Sequence, residues 1–320
     1  MKRMIITGLL AGGSVFAFAQ GNQANIKQNG TDNSHTVQQI GTNEKLTLVQ
    51  GTAAELSTQS EANVVMSGMN DEVFIRQLGA QHLAGVDVGG ESNAVDVRQG
   101  GFGQIARVDI IDGVSPTNNL VKINQLGEAN SANVSIQGGE QHDFRVKQSG
   151  SDNIASIRQY YSSFNTFRIT QDGASNEAQI QQESGRDGDQ VNIKQGGDLN
   201  RAYVALADAD AISPTRDNQA KITQLGSRND ATIEQKTPND VLYTPDAPSE
   251  IALNEAIINQ HGEDNTALLV QYGSENFGKI QQSGSLNDAT LTQAGVGDMA
   301  TIVQNGSGNV SMVSQGVALP

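Results

Sequence analysis

The groups that could do chemistry in this chain are few and far apart. Asp187 with Asp189, and Asp208 with Asp210 near Asp217, are its tight carboxylate clusters, the kind of pairing that general acid–base hydrolysis or a hard cation would use. Their spacing lacks the dense, regular oxygen pattern of calcium loops, so they read as solvated loop carboxylates. His35, His82, His142 and His261 show no metal-ligand spacing. His35 falls on an inward-facing position, which suits a core histidine bonded to a neighbour. Cys is absent, so no disulfide framework exists, and Trp is absent, which removes the usual platform of a sugar-binding cleft. The reading is of no enzyme, no metal and no cofactor. A polysaccharide-active enzyme on a β-helix is the rival class, and it would need convergent acid and base groups in a cleft.

What would have to position any such groups is a repeat. From Asn254 the phrase N-x5-Q-x-G-x-x restarts at Asn265, Asn276, Asn287, Asp298 and Asn309, always 11 residues on. Its third and fifth places hold a small and then an aliphatic residue: Ala256 and Ile258, Ala267 and Leu269, Gly278 and Ile280, Ala289 and Leu291. Polar residues fill the places between, so side chains alternate with period two, which is a strand rather than a helix. The Gln-x-Gly that follows supplies a turn. Each phrase is one strand and one turn, and two phrases make a coil of about 22 residues. The fold class expected is all-β, a two-sheet β-solenoid.

Asn and Gln share the inward parity of the aliphatic residues. The pairs run Asn22 and Gln28, Asn33 and Gln39, Asn93 and Gln99, Asn119 and Gln125, Asn153 and Gln159, Asn165 and Gln171, Asn176 and Gln182. They continue with Asn218 and Gln224, Asn229 and Gln235, Asn254 and Gln260, Asn265 and Gln271, Asn276 and Gln282, Asn287 and Gln293, Asn309 and Gln315. A buried primary amide left unpaired costs about 1–3 kcal/mol per group. Coils stacked in register solve this by forming amide ladders, as in cross-β assemblies. Degenerate phrases sit between: Glu44 with Gln50, Ala53 with Gln59, Asn63 with Met69, Asp71 with Gln77, Ser131 with Gln137, His142 with Gln148, Asp189 with Gln195 and Asn200 with Leu206. Leu83 to Gly89 and Gln104 to Ile110 keep only the alternation. The count is about 25 phrases, or roughly 12 coils.

Three insertions interrupt the rhythm, near 111–117, 207–217 and 236–253. They hold Pro116, Pro214, Pro238, Pro245 and Pro248, which is every proline except Pro320. Proline cannot donate to a ladder and is confined to edges and loops. Counted phrase by phrase, all three insertions follow phrases of one parity and should project from the same edge.

The start, Met1-Lys2-Arg3, an apolar run to Phe16 and Ala17-Phe18-Ala19, is that of a signal peptide over residues 1–19. No later run is long and apolar enough to span a membrane as a helix. The 35 acidic residues outweigh the 20 basic ones to give −15, and loss of Lys2 and Arg3 would leave −17. Nucleic acid is not the partner such a balance suggests. An ice-binding solenoid would need a flat outward ladder of Thr, whereas the outward places mix Thr232, Glu234, Lys279, Thr290, Arg158 and Lys194. These outward charges read as gatekeepers against lateral sheet association.

Gln224-Leu-Gly226-Ser-Arg-Asn229-Asp-Ala231-Thr-Ile233-Glu-Gln235 resembles the curlin repeat of curli subunits, secreted bacterial proteins that polymerise into amyloid fibres. The resemblance covers nearly all of residues 20–320, and Ser131 fits the family's use of Ser or Asn at the repeat start. It implies Asn and Gln ladders flanking a thin aliphatic core, a role in biofilm and adhesion, and a nucleator or secretion machinery as partners besides further copies. Gln20-Gly21-Asn22 enters the first repeat directly, without the Gly- and Asn-rich leader of the family's major subunit. More phrases than that subunit and the added insertions fit an accessory subunit as well as a major one. A monomeric adhesin is the alternative. It would need terminal caps, for which neither the first phrase nor Asn309–Gln315 leaves room.

Overall fold

The computed structural model describes residues 13–17, 21–111, 116–183, 188–207, 215–236 and 251–316. The basic start of the chain, Asp187, Asp208, Asp210, Pro214, Pro238, Pro245 and Pro248 lie outside them. The described residues are strands and turns with no helix, in two units, Met1–Ser156 and Ile157–Pro320.

In unit 1 the strands alternate between two parallel sheets. Sheet 1 holds Gln23–Gln28, Lys45–Gln50, Glu72–Ala80, Ala94–Phe102, Leu120–Glu128 and Asp143–Ser151; sheet 2 holds Ser34–Gln39, Glu61–Met66, Leu83–Val88, Ile105–Ile111 and Ser131–Gln137. Gly13–Ala17, inside the expected signal peptide, pairs with Ser34–Gln39. In unit 2, sheet 1 holds Thr166–Ala174, Gln190–Gly196, Gln219–Ser227, Glu255–Glu263, Phe277–Ser285 and Met299–Ser307. Its sheet 2 holds Glu177–Glu183, Arg201–Ala207, Asp230–Lys236, Thr266–Ser274, Asp288–Val296 and Val310–Gly316. Each unit is a stretch of β-solenoid, as the period-two alternation requires.

The core is one side chain deep from each sheet. In unit 1, sheet 1 sends in Leu46, Val73, Val95, Val121 and Phe144 at the third place of the phrase, and sheet 2 sends in Ala62, Ala84, Ala106 and Ala132 there, all buried. Large residues in one sheet and small ones in the other let the layers interdigitate.

Two backbone devices make the corners. The residue just before the Asn takes a left-handed conformation, as at Asp152 (φ 55), Arg228 (φ 54), Asp264 (φ 55) and Leu286 (φ 57). The glycine of Gln-x-Gly packs against its copy in the next coil: a Cβ on Gly127 (φ +111) would sit 2.1 Å from the carbonyl oxygen of Gly150. No other residue fits that approach.

The register departs from the expected one in the degenerate stretch. Residues 51–60 form a corner, not the strand expected from Ala53 to Gln59; only Ser57–Thr58 pairs, with Gly30–Thr31 and with Gly79–Ala80. The next phrase starts at Ser60 and reaches Met66, both fully buried, so Asn63 points outward. Likewise Asn130 and Ile136 are the inward pair, while Ser131 and Gln137 face out. His82, not Leu83, starts its phrase. One fewer phrase therefore lies between Gln50 and Asp71 than expected. The parity of the insertions relative to one another is unaffected. Each follows a sheet-2 strand, Ile105–Ile111, Arg201–Ala207 or Asp230–Lys236, and leads into a sheet-1 strand of the same unit. Residues 184–187 do the same after Glu177–Glu183.

Candidate functional site: amide columns and terminal edges

The inward Gln residues form columns because the strands stack in exact register. In sheet 1 of unit 1, Gln50 Nε2 donates to Gln77 Oε1 (2.9 Å), Gln77 to Gln99 (3.0 Å), Gln99 to Gln125 (3.1 Å) and Gln125 to Gln148 (2.9 Å). In unit 2 the run goes from Gln171 through Gln195, Gln224, Gln260 and Gln282 to Gln304, each step 2.9 Å. Gln235, Gln271, Gln293 and Gln315 make the same run in sheet 2 of that unit. The same Nε2 group reaches main-chain oxygens of the facing sheet, as from Gln260 to Asp230 O (2.8 Å) and Asn265 O (3.0 Å). Each amide thus ties two coils and two sheets together.

The Asn column makes the same side-chain rung, with Nδ2 donating to the Oδ1 of the Asn in the preceding coil, from Asn265 to Asn229 (2.9 Å), Asn287 to Asn265 (2.9 Å) and Asn309 to Asn287 (2.8 Å), and it adds main-chain contacts. Asn Oδ1 accepts the main-chain N–H of the Asn in the next coil, as from Asn265 to Asn229 (3.2 Å), Asn287 to Asn265 (3.2 Å) and Asn309 to Asn287 (3.1 Å). Its Nδ2 donates to the turn glycine of a neighbouring coil, Asn265 to Gly284 O (3.0 Å) and Asn287 to Gly306 O (2.9 Å). Asn is therefore a corner brace as well as a ladder rung. Most of the Asn and Gln residues named from the sequence are buried; Asn22, Gln28, Asn309 and Gln315, in the terminal coils, are partly open.

Where the phrase is degenerate the columns change chemistry. In sheet 2 of unit 1 the Gln place after Gln39 is taken by Met66, Val88, Ile110 and Ile136, an aliphatic stack with at most 1% exposure. The Asn place is taken by Ser60, His82 and Gln104. His82 Nδ1 faces Gln104 N at 3.4 Å and its Nε2 lies 2.8 Å from Leu78 O, and burial lowers its pKa. His142 occupies an Asn place in sheet 1 and stacks on Phe144 at 5.1 Å. His35 is buried with Gln28 Nε2 3.0 Å from its Nδ1, and burial lowers its pKa.

Acids also enter the Asn column. Asp189, expected as a solvated loop carboxylate, is fully buried there: Oδ1 accepts Asn218 N (2.8 Å) and Oδ2 accepts Gln182 Nε2 (2.6 Å). Glu44 and Asp71 are fully buried as well, but both Glu44 carboxyl oxygens and Asp71 Oδ2 have no hydrogen-bond partner. Burial, and then the Asp71 charge, pushes Glu44 up to about 7. Burial also raises Asp71, against the hydrogen bonds it accepts from Asn93.

No converging nucleophile and base occur in a cleft among the described residues. A shallow depression in unit 2 is walled by Arg168, Asn192, Lys221 and Glu255 on an open sheet face. Among the described residues no helix is long and apolar enough to cross a membrane.

The remaining special feature is the edge. Met299–Ser307 and Val310–Gly316 end their sheets, and neither contains a charged residue. Their outward apolar side chains are open, Val310 by 78% and Met312 by 80%.

A profile of the curlin associated repeat matches residues 117–160, 254–284 and 262–295. The chain carries curlin repeats. No curated protein matches the chain. The phrases in the matched stretches have Asn or His at the first place and, in all but one, Gln at the seventh, and the same ends recur outside them at Asn22, Asn33, Asn93, Asn165, Asn176, Asn218, Asn229 and Asn309. The coils between residues 44 and 110 have the same fold with Ser60, His82, Gln104 and the aliphatic stack at places that hold Asn and Gln elsewhere.

Proposed function

We propose that this is a secreted structural protein whose copies join end to end into curli-like extracellular amyloid fibres, serving biofilm matrix and cell adhesion rather than catalysis. The observation that carries the reading is the uncharged edge formed by Met299–Ser307 and Val310–Gly316, which no further strand pairs among the described residues. Soluble proteins block such edges with charge, proline or a covering segment, because free N–H and C=O groups template another strand. Gln304 and Gln315 carry the amide columns to that edge, so an incoming Gln finds a pre-set rung.

At the other end the order of strands matches. Gln23–Gln28 and then Ser34–Gln39 go from sheet 1 to sheet 2, as Met299–Ser307 and Val310–Gly316 do. Removal of residues 1–19 would take Gly13–Ala17 off the outer edge of Ser34–Gln39 and leave it open. Signal removal would then be the step that licenses growth. A curli-type nucleator and a secretion apparatus are the further partners this reading implies.

The test is fibre growth from the purified chain beginning at Gln20. Thioflavin-positive fibres with a meridional repeat near 4.8 Å are expected. A chain that stays monomeric for days at high concentration would show a soluble adhesin instead.

A further inference from the structure

Charge on the outer faces of unit 1 is sorted by sheet. On sheet 1, Lys27, Lys45, Arg76, Arg98, Lys122, Arg145 and Lys147 are exposed, against the exposed acids Glu72 and Glu128 and the half-buried Asp96 and Asp143. Asp96 and Asp143 pair with Arg98 (2.9 Å) and Arg145 (2.7 Å), while Arg76, Lys122 and Lys147 have no ion-pair partner among the described residues. On sheet 2 the outward charges are Glu61, Asp87 and Asp109 against Arg107 alone. A chain of net charge −15 therefore presents a basic sheet.

Like charges are stacked on both faces. Arg98 is the register partner of Arg76, and Arg145 of Lys122. Asp109 is the register partner of Asp87, and burial raises the pKa of each, with Asp87 adding to the shift at Asp109. Like charges directly opposite on neighbouring strands destabilise a sheet. They are relieved when an oppositely charged surface covers both, and two parallel-stacked faces of one chain share the same coil spacing.

We propose that the basic outer face of sheet 1 in unit 1 docks on the acidic outer face of sheet 2 in unit 1 of a second copy, joining solenoids side by side. Matching faces repel, so the charges act as gatekeepers against like pairings and as guides for the unlike one. The partner is another copy rather than a polyanion. A polyanion laid along Arg76, Lys122 and Lys147 would meet Glu72, Asp96 and Asp143 on the same face, whereas a second copy brings Asp87 and Asp109 at the matching period. The pairing is sideways and adds to the end-to-end growth proposed above, so it is read by fibre width while growth is read by fibre length.

The experiment uses the chain from Gln20 in three forms: unaltered, Arg76→Glu/Lys122→Glu/Lys147→Glu, and Asp87→Lys/Asp109→Lys. Every altered side chain is on an outer face, so the core is untouched. Fibre width by electron microscopy, and pelleting of short sonicated fibres, report lateral pairing in 20 mM salt. The unaltered chain bundles and loses at least tenfold of its pelleted fraction in 0.5 M salt, where the Debye length is only a few ångströms. Each variant alone stays as single filaments, and fibres of the two variants mixed together bundle again. Failure of the mixture to bundle, or bundling that salt strengthens, would overturn the proposal. So would unchanged bundling by the triple variant accompanied by loss of binding to dextran sulfate, which would assign the basic face to a polyanion.

Discussion

Glu44 and Asp71 lie in successive coils of one Asn column, and their unpartnered oxygens point where amide N–H groups point elsewhere. Asn93, next in that column, donates Nδ2 to Gly89 O and Pro116 O at 3.0 Å each. At Asp71 the same place is filled by Oδ2. A Cβ built on Gly68 would lie 2.3 Å from that oxygen and 2.1 Å from Gly90 O, so acceptor sits beside acceptor. Gly41 stands in the same relation to Glu44 Oε1 (2.2 Å) and Gly68 O (1.8 Å). A carboxylic acid can donate into this arrangement, and a carboxylate cannot.

This geometry fixes a pH dependence. The folded-state value for Glu44, about 7 against an ordinary 4.5, is raised, so its contribution to stability is full below the unfolded value and is lost as pH rises through about 7. Hydrogen exchange at the Lys45 amide, bonded to Asp71 O at 2.9 Å, should show less protection at pH 8 than at pH 5 after correction for intrinsic rates. Glu44→Gln should flatten the profile, because Gln104 already fills an Asn place with Nε2 on Gly100 O and Gly127 O. Protection that rises with pH in the unaltered chain would refute it.

Loss of a rung should cost more than its volume. Gln260 Nε2 makes three bonds, to Asp230 O, Asn265 O and Gln282 Oε1. Gln260→Leu leaves these acceptors in a dry site, at about 2–4 kcal/mol. Ile110→Leu, in the aliphatic stack, should cost under about 1.5 kcal/mol. Urea denaturation of the two variants compares them directly, and equal costs would mean the ladder adds nothing beyond filling space.

Leu286 has φ 57 and is 64% exposed, so it holds a strained conformation with little burial in return. Left-handed backbone costs an ordinary residue about 1–2 kcal/mol and Asn less. Leu286→Asn should therefore raise stability by about 1 kcal/mol in the same assay, and a loss of stability would show that Leu286 is held by contacts that matter.

The sequence made the solenoid legible because alternation, fixed period and banished prolines all point to one answer. It made the rungs legible because Asn and Gln recur six places apart. The register between residues 44 and 137 was not. Ser131-x5-Gln137 satisfies both ends of the phrase yet would turn Asn133 and Ser135 inward; the aliphatic parity of Ala132, Val134 and Ile136 decides instead. Asn63 misled in the same way, since Val64 and Val65 are both apolar and the true start is Ser60. The burial of Glu44 and Asp189 could have been found from their place in the phrase. Their different hydrogen bonding could not, because Asp189 has a donor, Gln182, across the corner while both Glu44 carboxyl oxygens have none.

Net charge should set the growth rate. Loss of residues 1–19 would leave a chain at −17 that repels its copies, and repulsion between exposed groups is screened beyond about 10 Å at 0.1 M salt. Filament elongation, measured as length with time, should quicken with added salt and as pH falls toward the carboxylate range. Slower elongation in both conditions would mean that repulsion is not limiting.

In the proposed fibre one copy continues the columns of the next. If Met299–Ser307 takes Gln23–Gln28 of another copy in register, with Gln304 over Gln28, then Thr301 lies over Asn25, both outward. Parallel neighbours stand about 4.8 Å apart, within the range a disulfide spans, and the chain has no Cys of its own. Thr301→Cys/Asn25→Cys, oxidised after fibres form, should run on a denaturing gel as a ladder of covalent polymers, while each single variant gives nothing larger than a dimer. Fibres of the double variant that yield only monomers and dimers would contradict end-to-end continuation of the solenoid.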